Sequence, residues 1–138
     1  MKNYKTGSET FWALASVCCL LFIKYYEAVL YYQNINLIAD TIYGLMAIPL
    51  FYFFVSSCLA TIFIKIFDLP ISRITKCIYR AVDIFLLLIY MVLITLKLLG
   101  FITIGIIPFV SIYWVIFIAW GCIFAIDVNV QLKKRETV

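Results

Sequence analysis

The chain has 138 residues, of which 67% are hydrophobic and 13% are charged, and its mean hydropathy is +1.12. Soluble domains are about 45–50% apolar and about 25% charged, because their surface must be covered with polar groups. The composition therefore excludes an ordinary soluble protein. It predicts a single membrane-embedded domain with no room for a separate soluble one.

Four apolar runs follow one another along the chain. A helix that crosses the hydrocarbon core needs about 20 mostly apolar residues. Backbone groups in lipid must bond within the chain, and the runs lack the alternation of a β-barrel, so helices are predicted. The expected fold is an all-α integral membrane protein, an antiparallel bundle of four transmembrane helices over residues 10–31, 42–66, 83–100 and 106–126.

The basic residues indicate how the helices are oriented. Of the eleven Lys and Arg residues, all but Lys24 and Lys97 lie before the first run, from the end of the second run to the start of the third, or after the fourth. With an even number of crossings these three places share one side, and the positive-inside rule makes that side cytoplasmic. Cytoplasmic N and C termini are therefore expected. The net charge of +4 follows from this bias, so no nucleic-acid partner is expected.

Charged residues inside the runs form a candidate polar cluster near the outer leaflet. Lys24 and Glu27 are three residues apart and share a face of the first helix. Lys97 lies about as far into the third run, and Asp40 follows the first helix. Charges within a span are costly and are usually paired or functional. The cluster could be a structural clamp, a ligand site or a proton path, or Lys24 and Glu27 could simply pair near the interface while the Lys stem reaches toward water.

Tyrosines concentrate at the end of the first helix. Because tyrosine favours the headgroup level, they predict an aromatic belt at the outer interface. The four residues are Tyr25, Tyr26, Tyr31 and Tyr32.

The second run contains a proline and two pairs of small residues. Pro49 removes one helical hydrogen bond and predicts a kink, which either shapes packing or acts as a hinge. Spacings of four between small residues let helices approach closely. The pairs predict packing within the chain, with an oligomer face as the alternative, and they are Ser56 with Ala60 and Ser57 with Thr61.

The polar loop at residues 67–82 separates the second and third runs. Its apolar residues recur at spacings of three and four, which predicts a short amphipathic helix. Its basic face either lies on anionic lipid headgroups or docks a cytoplasmic partner. The apolar residues are Ile71, Ile74, Ile78 and Val82, and the basic face consists of Lys65, Arg73, Lys76 and Arg80.

The loop also resembles a known family. Its start, Pro70-Ile71-Ser72, followed by Ile78, Arg80 and the third span, resembles a family of small uncharacterised bacterial four-helix membrane proteins. That family has a Pro-Phe-Ser-like start to its cytoplasmic loop and is often encoded beside a small helix-turn-helix regulator. The resemblance implies a four-helix layout and no catalytic residues.

The sequence contains no catalytic, cofactor or metal motif. It has no histidine, which removes the usual general base and a common metal ligand. Its five Cys residues form no CxxC pair, and phosphate-binding and dinucleotide loops are missing. No cofactor and no enzymatic activity are expected. Asp83 and Asp127 are the acids that a lipid-handling enzyme would use, but pairing with adjacent Arg or Lys explains both, and for Asp83 the expected partner is Arg80.

The predicted function is a non-enzymatic accessory, regulatory or immunity-type subunit that acts through helix contacts with a larger membrane protein. One alternative is an oligomeric channel or small transporter subunit in which Lys24, Glu27 or Lys97 lines a polar path. Another is a lipid-handling membrane enzyme. The expected partners are the bilayer, with anionic headgroups at the cytoplasmic face, and another membrane protein or a second copy. The high content of Ile, Phe and Tyr favours an AT-rich bacterial gene and a bacterial plasma membrane.

Overall fold

A computed structural model describes residues 8–29, 37–67, 72–101 and 106–129. Its elements in chain order are α1 (Ser8–Ala28), α2 (Leu37–Thr41), a π-helical segment (Ile42–Ala47), α3 (Ile48–Phe67), α4 (Arg73–Leu98) and α5 (Ile106–Asn129). The π-helical segment joins α2 to α3 without a break. The prediction of an all-helical chain with four long helices is confirmed.

Three helical stretches are long and apolar enough to cross a bilayer, namely Glu9–Ala28, Ile42–Phe67 and Arg73–Leu98. In α5 the apolar stretch whose side chains the structure describes is Trp114–Val128, which is shorter. Large apolar side chains are exposed along α1, α4 and α5, as at Leu14, Phe85 and Val115. An apolar exterior of this extent is what a lipid solvent requires, and it supports membrane association.

Helix α3 lies at the centre of the fold, between α1 and α5. Its contact with α5 depends on small residues. The Ser57 hydroxyl donates to the Gly121 carbonyl at 3.1 Å, and a Cβ built on Gly121 would lie 2.0 Å from Ser56 Oγ. Thr61 and Ala125 are buried one turn further along the two helices. The two helices are therefore too close for a side chain at position 121, where only glycine fits.

Aromatic rings fill the space beside this contact. The buried residues Phe53, Phe117 and Trp120 form a cluster, and the Phe53 and Trp120 ring centroids are 5.0 Å apart in an edge-to-face arrangement. Trp12 of α1 reaches Phe124 of α5 at 5.2 Å. These separations are typical of favourable aromatic pairs, so the rings tie α1, α3 and α5 into one core.

The polar loop differs from its predicted form. Ser72 caps α4, accepting the Thr75 N–H at 3.1 Å, and the helix then runs unbroken for 26 residues to Leu98. The expected amphipathic helix and the third span are thus one helix. The physical reason is that neither glycine nor proline occurs between the cap and Gly100, whose φ of 75° ends the helix. Residues 68–71, which include the predicted start at Pro70, lie outside the described residues.

We expect Gly121→Ala to destabilise the fold by about 1–3 kcal/mol, the usual cost of an overpacked contact. The added Cβ would meet Ser56 Oγ at 2.0 Å and the Phe53 carbonyl oxygen at 2.5 Å, so α3 and α5 must separate. The free energy of unfolding, measured by titration of SDS into mixed micelles, checks this. Ala119→Leu is the matched control, because Ala119 is exposed on the same helix. Equal stability of the two variants would contradict the close contact.

Candidate functional site

Two residues of the outer polar cluster predicted from the sequence, Lys24 and Glu27, lie together on α1. Lys24 Nζ and Glu27 Oε2 form an ion pair at 3.0 Å, with side chains that are 71% and 46% exposed. The Tyr43 hydroxyl, from the π-helical segment, donates to Glu27 Oε1 at 3.2 Å. In the described part of the chain, the partners of Glu27 are thus Lys24 and Tyr43. The arrangement links α1 to the π-helical segment and leaves both charges at the surface.

Tyr43 is held in place by a second tyrosine. The Tyr26 and Tyr43 rings stack with centroids 4.0 Å apart and planes 12° apart. Tyr26 is 2% exposed, whereas its neighbour Tyr25 points outward. Of these two tyrosines, Tyr25 is exposed as an aromatic belt requires, whereas Tyr26 packs against Tyr43. Tyr31 and Tyr32 lie outside the described residues.

Lys97 and Asp40 lie on different elements from the Lys24–Glu27 pair. Lys97 is near the C-terminal end of α4 and is 8% exposed. Asp40 belongs to α2, which contacts α4, but the Asp40 side chain lies outside the described residues. A lysine in the last turn of a helix is favoured by the helix dipole, so the position of Lys97 at the end of α4 has a structural explanation.

An apolar cavity of about 300 Å³ opens between the π-helical segment, α3, α4 and α5. Its walls include Gly44, Pro49, Leu93, Ile94, Phe117 and Trp120, and Lys97 lies among the residues that line it. A volume of this size is at the lower end of the range for small-molecule sites. The cavity was not predicted, because it arises from three helices that meet imperfectly.

Pro49 lies at the wall of this cavity and explains a contact between helices. Proline has no N–H to donate to the carbonyl four residues earlier, which is that of Leu45. The Tyr90 hydroxyl of α4 donates to that Leu45 oxygen at 2.5 Å. The π-helical segment ends just before Ile48, and Pro49 is the next residue after Ile48. Where the sequence predicts a kink, the structure has a change from π-helix to α-helix. It also has a backbone carbonyl that accepts a hydrogen bond from α4.

Polar contacts at the opposite end of the bundle join distant parts of the chain. Arg80 Nε lies 3.3 Å from Asp127 Oδ2, and the Trp120 indole N–H donates to Asp83 Oδ1 at 2.5 Å. The sequence predicts Arg80 as the partner of Asp83. In the structure Asp83 bonds to Trp120 instead. Asp127 Oδ1 is buried and has no hydrogen-bond partner among the described residues. These contacts fix α4 against α5.

Two of the four cations in the basic face predicted for the loop form ion pairs with residues of other helices. Lys65 is paired with Glu9 of α1, and Arg80 with Asp127 of α5. Arg73 is exposed and Lys76 is partly buried, both in the first turns of α4. Two of the four cations thus stabilise helix contacts, and the remaining two lie on a helix that continues a span.

The small-residue face lies inside the protein. Ser56, Ser57 and Thr61 are buried where α3 meets α5, and Ala60 packs against the buried pair Ile64 and Ala125. In the described chain these residues therefore pack within one molecule.

Sequence reasoning missed Tyr43, Tyr90 and Glu9 as contact residues. A signal existed for two of them, because a tyrosine hydroxyl in an apolar helix usually finds a partner. The partner itself comes from another helix and cannot be identified from local spacing. The chain matches no protein-family model, and comparisons with curated proteins and with solved structures give no match.

We expect Tyr90→Phe to lower the free energy of unfolding by about 0.6 kcal/mol, the mean for hydrogen bonds between membrane helices, and by at most about 1.7 kcal/mol. The change removes only the hydroxyl that donates to Leu45 and keeps the ring that packs on Phe117. SDS titration measures the loss. Tyr25→Phe removes a hydroxyl from an exposed position and should leave stability unchanged. A Tyr90→Phe variant as stable as this control would disprove the role of the contact.

Proposed function

We propose that the protein is a non-enzymatic accessory, regulatory or immunity-type subunit of a larger membrane complex. In this proposal it lies in a bacterial plasma membrane with both termini in the cytoplasm, as its basic residues favour. Its docking element is the basic end of α4, residues 73–78. The observation that supports the proposal is the continuity of α4 from Arg73 to Leu98.

In this proposal the basic end of α4 extends beyond the hydrocarbon core, and the length of the helix supports this. At about 1.5 Å per residue, a helix of this length extends about 39 Å, whereas the core is about 30 Å thick. About six residues are therefore in excess. The stretch from Ile84 to Leu96 has no charged residue, so the excess falls at the other end, where Arg73 and Lys76 lie.

Two isoleucines on this basic end have large exposed surfaces. Ile74 is 75% exposed and Ile78 is 56% exposed, and their spacing of four residues places them on one face of the helix. Outside the hydrocarbon core such a pair is unfavourable in water. Arginine beside an apolar centre is typical of protein interfaces. The fitting partner is a membrane protein whose cytoplasmic surface is apolar and acidic.

The alternative in which this segment lies flat on the headgroups fits the continuous helix less well. A surface-bound amphipathic helix lies in the plane of the interface, whereas α4 keeps one direction from Arg73 to Leu98. The channel and enzyme alternatives gain no support from the described side chains. Lys24 and Glu27 form a surface pair, and Asp83 bonds to Trp120 of α5.

Membership of the bacterial four-helix family is part of this proposal. It is supported by the four long helices and by the loop residues from Ser72 to Arg80 that prompted the resemblance.

The test is co-purification of the chain with a partner in mild detergent, from cells that express it naturally. We expect Ile74→Ala combined with Ile78→Ala to weaken the association about tenfold or more, because truncating a central interface residue typically costs over 1 kcal/mol. Affinity is measured with the purified partner after both proteins are reconstituted in nanodiscs.

The matched control is Ile84→Ala combined with Leu88→Ala. These two residues are similarly exposed on the same helix and also four apart, but they lie in its uncharged stretch. The control pair should bind the partner as the unmodified chain does. Equal loss in both double variants, or a chain that purifies only with copies of itself, would refute docking by the basic end of α4.

A further inference from the structure

The wall that α4 contributes to the cavity is about as long as one bilayer leaflet is thick. This wall extends from Leu86 to Lys97, which is about 16 Å along the helix at 1.5 Å per residue. Half of the hydrocarbon core is about 15 Å. An extended hydrocarbon chain that entered the cavity could thus stay in contact with α4 from the bilayer midplane to the headgroup level.

The chemistry of the cavity is unequal at its two ends. The walls between the ends are hydrocarbon and aromatic, with Leu93, Ile94 and Phe117 among them. The polar atom of Tyr90 is engaged with the Leu45 carbonyl, so it adds little polarity to the walls. The cation at one end is Lys97. An ammonium has three N–H donors, so it can bind a further acceptor in addition to contacts within the chain.

We propose that the cavity is a lipid-binding site that takes one acyl chain of an anionic phospholipid, with the headgroup phosphate at Lys97. In the predicted orientation this is a lipid of the leaflet opposite the basic end of α4. The acyl chain matches the length and the apolar walls, and the phosphate matches the charge at the end. The proposal is independent of the proposed function, because the docking residues Ile74 and Ile78 lie at the other end of α4.

The same cavity could instead receive a helix side chain from a second copy. That occupant would satisfy the apolar walls, but an apolar side chain offers no acceptor to the Lys97 ammonium. The lipid satisfies both features and is present in the surrounding solvent at high concentration. A dimer that excludes lipid from the cavity is nevertheless an outcome that the experiment below can detect.

The test uses the full chain in nanodiscs that contain equal amounts of phosphatidylglycerol and phosphatidylcholine, followed by mild extraction and native mass spectrometry. We expect one retained phospholipid, with phosphatidylglycerol preferred. Lys97→Met should reduce the preference for phosphatidylglycerol about fivefold, the factor that one lysine near an anionic headgroup contributes. Lys24→Met is the matched control, because Lys24 is an exposed lysine outside the cavity, and its preference should not change.

A second variant tests the chain-binding part of the site. Leu93→Trp places a larger side chain in the cavity wall and should abolish retention of either phospholipid. Its folding is checked by the SDS titration. Retention of lipid by a folded Leu93→Trp variant, or the same preference in Lys97→Met as in the unmodified chain, would overturn the proposal.

A measurement without a cavity-filling substitution guards against misfolding of that variant. Trp114 and Trp120 line the cavity, so phosphatidylglycerol brominated on its acyl chains should quench their fluorescence in Trp12→Phe protein. Quenching that persists after dilution into unbrominated lipid indicates a bound chain. Immediate recovery of the fluorescence, or a lipid-free dimer in the mass spectrum, would show that no phospholipid occupies the cavity.

Discussion

The close approach of α3 and α5 at Gly121 is the constraint on which the rest of the fold depends. Ser57 donates to the Gly121 carbonyl, and no side chain larger than hydrogen fits beside Ser56. Since lipid gives little hydrophobic drive for helices to associate, contact area and hydrogen bonds must hold them together. The small residues set the distance between the two helices. The rings of Phe53 and Trp120 then pack against each other beside that contact.

Helix α4 is attached to this core by different means. Its ties to α5 include the Tyr90 ring against Phe117, the Asp83–Trp120 hydrogen bond and the Arg80–Asp127 ion pair. Because large rings rather than small residues mediate this contact, α4 cannot approach as closely as α3 does. The space left over is the cavity. The cavity is thus present because glycine and serine lie where α3 crosses α5, whereas large rings lie where α4 contacts α5.

The broad architecture could be predicted from the sequence, since the length and apolarity of each run are local properties. The burial of Ser57 and Thr61 could also be predicted from the sequence, because their spacing of four residues is visible within one helix. The continuity of α4 was not predicted, since the charges of Arg73, Lys76 and Arg80 suggested a boundary. Charge moves a helix out of lipid but does not end it, whereas a glycine such as Gly100 does.

The polar pairings could not be predicted for a different reason. Arg80 and Asp127 are 47 residues apart, and Tyr90 and Leu45 are 45 apart, so only the packing of the helices brings them together. The loss of a donor at Pro49 is a local property, and it marks Leu45 as an acceptor that needs a partner. The identity of that partner is a property of the fold.

The distribution of polar groups along α4 links the two proposals. The Arg73 end exposes Ile74 and Ile78 beside cations, and toward the other end Lys97 lies among the residues that line the apolar cavity. Between them, Asp83 and Tyr90 are used to hold α4 against its neighbours. A substitution at either end therefore leaves these central hydrogen bonds in place, so a partner and a lipid can be tested separately on the same helix. If both bind, the ties at Asp83 and Tyr90 are the contacts through which occupation of one end would affect the other.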